Sequence, residues 1–246
     1  MRRFFVRPDD VERSTLRLSG HEAVHLVRVL RLGPGAHISA FDGRGREYMA
    51  VVDQVNADQV HCHILQQTEA APPSSVSISL GQGLPKAERF DWVIQKATEL
   101  GVAQIVPLLT ERTVPQLMGS RLATKQARWE RIAREACKQS GQATVPHLWP
   151  PTRLEEFFVA FQGAEVKLIF WEGEKRRRLK TVSQAYEQVA AVAVVVGPEG
   201  GLTPAEVAQG ESHGFLSVGL GERILRTETA SLIAVALLQH CFGDLG

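Results

Sequence analysis

From residue 76 onward the sequence repeats one rhythm: a short apolar run, a turn, then a longer amphipathic stretch. VSISLG, VAQIVPLLT, VKLIFW, AVAVVV and FLSVGL are the apolar runs, and most lack the polar alternation of a half-solvated strand. Strands apolar on both faces must be covered on both faces, which helical crossovers between parallel strands achieve. KAERFDWVIQKATELG reads as one such helix, closed by Gly101 at the first position past its end. RLATKQARWERIAREACKQSG reads as a longer one, with Trp129, Ile132, Ala133 and Ala136 on one face and Arg131, Arg134 and Lys138 in a basic stripe beside it. The last helix, roughly 228–241, is apolar almost all round and is expected to be buried. This part of the chain is α/β, with a mostly parallel sheet.

The first 70 residues differ, being mostly β. RRFFV and LRL are short strand candidates, and AHISAF, EYMAVVDQV and QVHCHILQ follow, the first two joined by the hairpin turn DGRG. So many strands in so short a segment point to a small barrel. Between them SGHEAVHLVRVLRLG reads as a helix, with Ser19 and Glu22 forming a capping box. TEAAPPSS, residues 68–75, reads as a linker, so the expected domains are 1–70 and 71–246.

The net charge of +1 hides three basic clusters. Residues 1–31 hold seven arginines against four acids, residues 112–138 seven basic residues against two, and 174–180 five against one. Arginine outnumbers lysine 21 to 7, which suits forked contacts to phosphate. Together the clusters favour an anionic partner. No apolar run approaches the roughly 20 residues of a membrane helix, and MRRFFVRPDD does not read as a signal peptide. Three scattered cysteines form no CxxC pair, which fits a reducing cytoplasm and neither a disulfide framework nor structural zinc. His21 and His25 lie four apart but have no third ligand nearby in sequence, and no metal is expected.

In VVVGPEGGLTPAE a glycine turn joins a strand to a helix, an arrangement that often binds phosphate. Here Thr203, Pro204 and Glu206 already cap the helix, and Glu199 would repel an anion, so a neutral or cationic ligand fits better. LGQGLPK holds a GxG, but Lys86 stands where the dinucleotide fingerprint needs its third glycine. GLGERILRTETAS sets Arg223, Arg226 and Glu228 between a strand and a buried helix, either as a structural ion pair or as reacting groups.

RRFFV, VLRLGPGAHISAFDG, KAERFDWVIQKATELGV, RWERIAREACKQSG, VVVGPEGGLTPAE and LGERILRTETA cover nearly the whole chain in this order. Together they resemble the RsmE family of bacterial 16S rRNA (uracil-N3) methyltransferases, within the SPOUT superfamily. The resemblance implies a C-terminal SPOUT domain with a trefoil knot, a PUA-like N-terminal barrel that helps hold RNA, S-adenosyl-L-methionine as methyl donor, and a homodimer acting on 16S rRNA or the small ribosomal subunit in the cytoplasm. It also implies cofactor contacts at Trp171, Glu172 and Gly173, at Gly197, Pro198, Glu199, Gly200 and Gly201, and at Leu220, Gly221, Ile224, Leu225 and Arg226. Arg226 and Glu228 are the catalytic candidates, because the N3 of uridine loses a proton on methylation and charge spreads to its flanking oxygens. Arg2, Arg3, Arg7, Arg28, Arg31, Lys86, Arg89, Arg131 and Arg134 are the candidate RNA contacts. After KQSG this chain has Gln142 where the family usually has arginine. A non-catalytic RNA-binding assembly factor, or a SPOUT enzyme acting on another RNA, stands as the alternative.

Overall fold

The computed structural model describes residues 2–56, 58–70, 74–86, 88–113 and 120–246. The chain forms two compact units, Met1–Pro73 with Arg134–Val145, and Ser74–Ala133 with Pro146–Gly246. The linker expected over 68–75 falls outside the described residues at 71–73.

The first unit is built from β1 (Arg2–Phe5), β2 (Thr15–Ser19), a helical turn α1 (His21–Val24), β3 (His37–Phe41), β4 (Arg46–Val55) and β5 (Gln59–Glu69). The strand order is β1-β3-β4-β5-β2, parallel only between β1 and β3. The sheet curls into a half-barrel, as the strand-rich sequence predicts. Alternate residues, among them Leu16 and Leu18 of β2 and Ile38 and Ala40 of β3, point into one core with Phe4, Leu26 and Val60. The DGRG turn joins β3 to β4, with the Asp42 carboxylate accepting from the backbone N–H groups of Arg44 and Arg46 at 2.8 and 3.1 Å.

The helix after β2 differs from expectation. Ser19 ends the strand, Gly20 at φ 58° is the N-cap residue, and no side chain caps α1. A single π-turn, His25–Val29, follows. Glu22 is used elsewhere: its carboxylate accepts from Lys138 Nζ at 3.0 and 3.3 Å. Lys138 also donates to Glu135 at 3.0 Å, so an ammonium already serves two of the three groups in the cluster of His21, Glu22 and Glu135.

In the second unit come β6 (Ser77–Gly83), α2 (Arg89–Glu99), β7 (Gln104–Leu109), α3 (Ser120–Ser140, whose end from Arg134 belongs to the first unit), β8 (His147–Leu148) and β9 (Thr152–Arg153). They are followed by α4 (Leu154–Ala160), β10 (Val166–Phe170), α5 (Leu179–Ser183), β11 (Ala191–Val196), α6 (Pro204–Ser212), β12 (Leu216–Val218) and α7 (Thr227–Phe242). The strands are all parallel, in the order β12-β10-β11-β6-β7-β8, with β9 also on β7. Phe157 and Phe158 of α4 are fully buried with Phe215, Val106, Ile169 and Val195. Gly101 sits past the end of α2 at φ 76°, as expected.

α7 packs on β6, β11 and α2. Its burial is one-sided, contrary to the uniformly apolar sequence: Ala234, Val235 and Leu238 are buried, but Ile233 is 41% and Leu237 38% exposed. A helix laid on a sheet has two sides, and here the second has no partner within the described residues. Among those residues no helix is long and apolar enough to cross a membrane. Cys62, Cys137 and Cys241 are all free, and burial pushes the first two thiols up to about 12.

Lys138 and Glu22 side chains are only 6% and 14% exposed. Removing one partner of so buried a pair leaves an uncompensated charge, so Lys138→Ala should cost about 3 kcal/mol in urea denaturation. Pairing Lys138→Met with Glu22→Leu should recover most of that loss. A cost for Lys138→Ala below about 0.5 kcal/mol would show that water, and not the lysine, holds the glutamate.

Candidate active site

Three loops leave the carboxyl ends of the adjacent parallel strands β10, β11 and β12, where open α/β sheets place their ligands. Residues from these loops, with Arg89, Phe170, Val196, Thr227 and Ala230, line a cavity of about 540 Å³. That volume lies within the range of roughly 300–1,000 Å³ typical of small-molecule sites. Much of the wall is backbone. At Gly83 a Cβ would fall 2.4 Å from the backbone nitrogen of Pro198, and at Gly219 it would fall 2.4 Å from the carbonyl oxygen of Glu174. Both glycines let main chain meet main chain where any side chain would force the loops apart.

One buried polar network ties this floor together. The Gln82 amide, at the end of β6, donates to the carbonyls of Gly83 (2.8 Å) and Gly197 (3.3 Å) and to Thr227 Oγ1 (3.0 Å). Thr227 Oγ1 donates in turn to the Gly197 carbonyl at 2.5 Å, and Ser231 Oγ donates to Gln82 Oε1. Gln82 thereby joins β6, the loop after β11 and the first turn of α7, from positions 115 and 145 residues apart in sequence.

The loop after β11 is fixed from its outer side as well. Glu199 Oε1 accepts from the backbone N–H of Lys86 (3.0 Å) and pairs with Arg89 (2.9 Å), while Arg112 donates to the Gly200 carbonyl at 2.6 Å. Gly201 closes the turn at φ 70°, its N–H bonded to the Pro198 carbonyl at 2.9 Å. The expected capping box of α6 is present: Thr203 Oγ1 accepts from Glu206 N–H at 3.3 Å and Glu206 accepts from Thr203 N–H at 2.8 Å. With those donors used, the start of α6 has little to offer a phosphate.

Of the expected cofactor residues, Trp171, Glu172, Gly197, Pro198, Glu199, Gly200, Gly201, Leu220, Gly221, Ile224, Leu225 and Arg226 all line the cavity. Gly173 is exposed and does not. Trp171 Nε1 donates to the Leu202 carbonyl at 3.2 Å, locking the first loop to the second. Arg226 is exposed at the N-cap of α7 and has no carboxylate within 4 Å among the described residues, so the structural Arg–Glu pair is not formed. Glu228, in the first turn of α7, stands off the cavity wall with its Oε2 buried and without a hydrogen-bond partner among the described residues.

The candidate RNA residues divide by what already holds them. Arg2, Arg7, Arg28, Arg31, Lys86 and Arg131 are exposed. Arg3 is paired with Glu47 at 2.6 Å and lies over the Phe41 ring, Arg89 is held by Glu199, and Arg134 lies over the Phe5 ring. Gln142 is half-buried in the turn after α3. Several cavity residues lay outside the sequence-based set, Gln82's partner Thr227 among them, and so did Gln82 itself.

Two family models match the chain, an RNA methyltransferase domain over residues 72–239 and an RNA methyltransferase PUA domain over residues 18–65. The chain belongs to this RNA methyltransferase family. Among similar proteins, the ribosomal RNA small subunit methyltransferase E of Bacillus subtilis is 30% identical, over 98% of this chain and 96% of its own. The solved structure of ribosomal RNA small subunit methyltransferase E from Neisseria gonorrhoeae, bound to S-adenosyl methionine, is 34% identical with a TM-score of 0.87, over 100% of both chains. A Legionella pneumophila structure in complex with SAM is also 34% identical, with a TM-score of 0.90 over 99% of each chain. Family membership thus falls on the unit that carries the cavity and on the strand-rich first unit alike.

The Gln82 network gives a direct test. Gln82→Leu removes the amide's bonds to the Gly83 and Gly197 carbonyls, Thr227 and Ser231, and leaves only the Thr227–Gly197 and Ser231–Thr227 bonds to hold the loop and helix start. Buried unsatisfied groups cost about 1–3 kcal/mol each, so a loss of at least about 2 kcal/mol is expected in chemical denaturation. A loss under about 0.5 kcal/mol would show that the network does not hold the loops.

Proposed function

We propose that this RNA methyltransferase transfers the methyl group of S-adenosyl-L-methionine to the N3 of a uridine in 16S rRNA of the small ribosomal subunit. The observation that carries this reading is the backbone-lined cavity at the ends of β10, β11 and β12, with unpaired Arg226 in its wall. A concave site of mixed backbone, apolar side chains (Leu220, Leu225, Val196) and carboxylates (Glu172, Glu174) suits an adenosine joined to a cationic sulfonium. When bound, the cofactor supplies an electrophilic methyl group on sulfur. The trefoil knot that the resemblance to SPOUT enzymes implies is proposed for these loops, which adjoin at Gly219, whose N–H donates to the Arg177 carbonyl at 3.0 Å.

For the chain's own residues, chemistry at N3 poses a charge problem. The N3 proton must leave for N3 to take up the methyl group, whose bond to sulfur would break in the transfer, and until then negative charge spreads over O2 and O4 of the base. The Arg226 guanidinium is assigned to stabilise that charge, and a donor lost from such a position typically costs about 10²–10³ in rate. Glu228, with an unpartnered buried oxygen two residues along the same helix turn, is assigned to take the proton or orient the arginine. The uridine must leave its stack to reach the cavity. We assign residues 1–70 to holding RNA and 71–246 to methyl transfer, with Arg2, Arg7, Arg28, Arg31, Lys86 and Arg131 on phosphates. The cytoplasm, where ribosomal subunits are assembled, is the proposed place of action.

Small subunits lacking the modification, incubated with labelled S-adenosyl-L-methionine and then digested, should yield N3-methyluridine by mass spectrometry. Label on a ribose or on transfer RNA would overturn the substrate assignment. Arg226→Ala and Glu228→Gln should each slow transfer by about a hundredfold or more in single turnover. Wild-type rates in both variants would sink the catalytic assignment.

The exposed apolar stripe of α7 supports a homodimer. Ile233 and Leu237 are one turn apart on the side away from the sheet, and the exposed Cys241 continues the row. Apolar residues spaced this way on an open helix face fit a second, identical face. Light scattering should give twice the chain mass for the wild type and the single chain mass for Ile233→Glu with Leu237→Glu. A monomeric wild type at micromolar concentration would refute the dimer.

A further inference from the structure

The basic run at 174–180 is the one cluster of the three that no assigned role has taken up. Its geometry sorts the charges around the cavity mouth into two groups. The carboxylates are mostly satisfied from within. Glu199 is held by Arg89, and Glu222 accepts from Arg178 at 2.6 Å. The backbone N–H groups of Arg177 and Arg176, at 3.0 and 2.7 Å, hold the Glu174 carboxyl below its ordinary range. The cations are not matched in the same way. Lys175 and Arg223 line the cavity and Arg176 follows Lys175 on the same loop. All three are exposed, and none has a carboxylate within 4 Å among the described residues.

This asymmetry has a structural source. Arg177 and Arg178, the next two residues of the run, turn inward: Arg177 donates to the Ser217 carbonyl at 3.1 Å and Arg178 takes Glu222. They anchor the loop to the end of β12 and so hold Lys175 and Arg176 outward. Arg223 is carried on the loop after β12, which the Arg178–Glu222 pair ties to the first loop, beside Ile224, which is 84% exposed. Two loops therefore present cations without an ion-pair partner among the described residues, while of the lining carboxylates Glu199 and Glu222 are paired with arginines and Glu172 and Glu174 keep their charge in the wall's first loop. Such a rim lowers the energy of a polyanion lying over the opening.

Resting on the RNA methyltransferase reading, we propose that Lys175, Arg176 and Arg223 form a phosphate clamp on the RNA strand flanking the target nucleotide. The clamp holds the backbone at the rim while the base enters the cavity. Phosphate contacts of this kind position the strand and carry no sequence preference. They are distinct from the candidate contacts read from the sequence, none of which lies on these two loops.

The test measures binding of unmodified small subunits across a salt series, for wild type and for the triple variant Lys175→Gln, Arg176→Gln, Arg223→Gln. Each lost phosphate contact lowers the slope of log K against log salt by about 0.7–0.9, so the triple variant should lose about two units of slope and bind at least tenfold more weakly at low salt. Lys175→Arg with Arg223→Lys keeps both charges and should retain the wild-type slope. S-adenosyl-L-methionine affinity, measured by calorimetry, should stay within about threefold in Arg176→Gln, the one of the three that does not line the cavity. An unchanged slope overturns the clamp while leaving the enzymatic reading intact. Loss of cofactor affinity with an unchanged slope also overturns it, because the anion at the rim would then be the cofactor's own carboxylate. Salt-independent binding, or none, by the wild type would overturn the clamp, whereas absence of methyl transfer to RNA by the wild type would strike at the reading beneath it.

Discussion

The buried amide of Gln82 is the point on which the cavity depends. A carbonyl turned away from solvent has to be given a donor, and Gly197 receives two, from Gln82 and Thr227. Those bonds decide which way the first peptide of the loop after β11 faces. They also place the start of α7, because Thr227 is its first residue and Ser231 bonds the same amide one turn later. The loop and the helix start are consequently one rigid body, set on the end of β6. Arg226 stands one residue before that anchor, so its backbone is fixed although its side chain has no ion-pair partner among the described residues.

Glycine makes the arrangement possible at two places and for two reasons. At Gly83 the reason is space, since the Pro198 backbone lies where a Cβ would be. At Gly201 the reason is conformation, a φ of 70° that lets the turn close under Leu202. Between them Glu199 points outward, to Lys86 N–H and Arg89, and ties the turn to the start of α2. A carboxylate in a glycine loop is puzzling for a phosphate site and ordinary for a loop that needs bracing.

The alternating apolar runs made the parallel sheet legible, because burial on both faces leaves a continuous signal in sequence. The DGRG hairpin and the capping box at Thr203 were legible too, being interactions between near neighbours. What local sequence does not carry is long-range. Gln82 in GQG looks like any polar turn residue, and only its four partners reveal it as core. Glu22 fits a capping box with Ser19, yet Lys138, 116 residues away, takes it. β8 and β9, two residues each, carry no periodicity, and α4 hides because LEEFFVA is too short to show a helical repeat. In α7 the signal misled: apolar residues on every side say nothing about which side the chain itself covers.

The same distinction explains how charge is read. Composition counts the run at 174–180 as five cations against one acid, a single basic patch. In the fold the patch is divided by direction, Arg177 and Arg178 toward β12 and its following loop, Lys175 and Arg176 toward solvent. The inward pair stiffens the loop and the outward pair remains available to an anion. Their proximity is itself a constraint, since adjacent like charges repel unless some are neutralised; Glu174, bonded to the N–H groups of Arg176 and Arg177, and Glu222, bonded to Arg178, supply that neutralisation. A cluster whose inner members are paired in this way can keep its outer members exposed at low cost, which is the condition for a rim that meets a phosphate backbone.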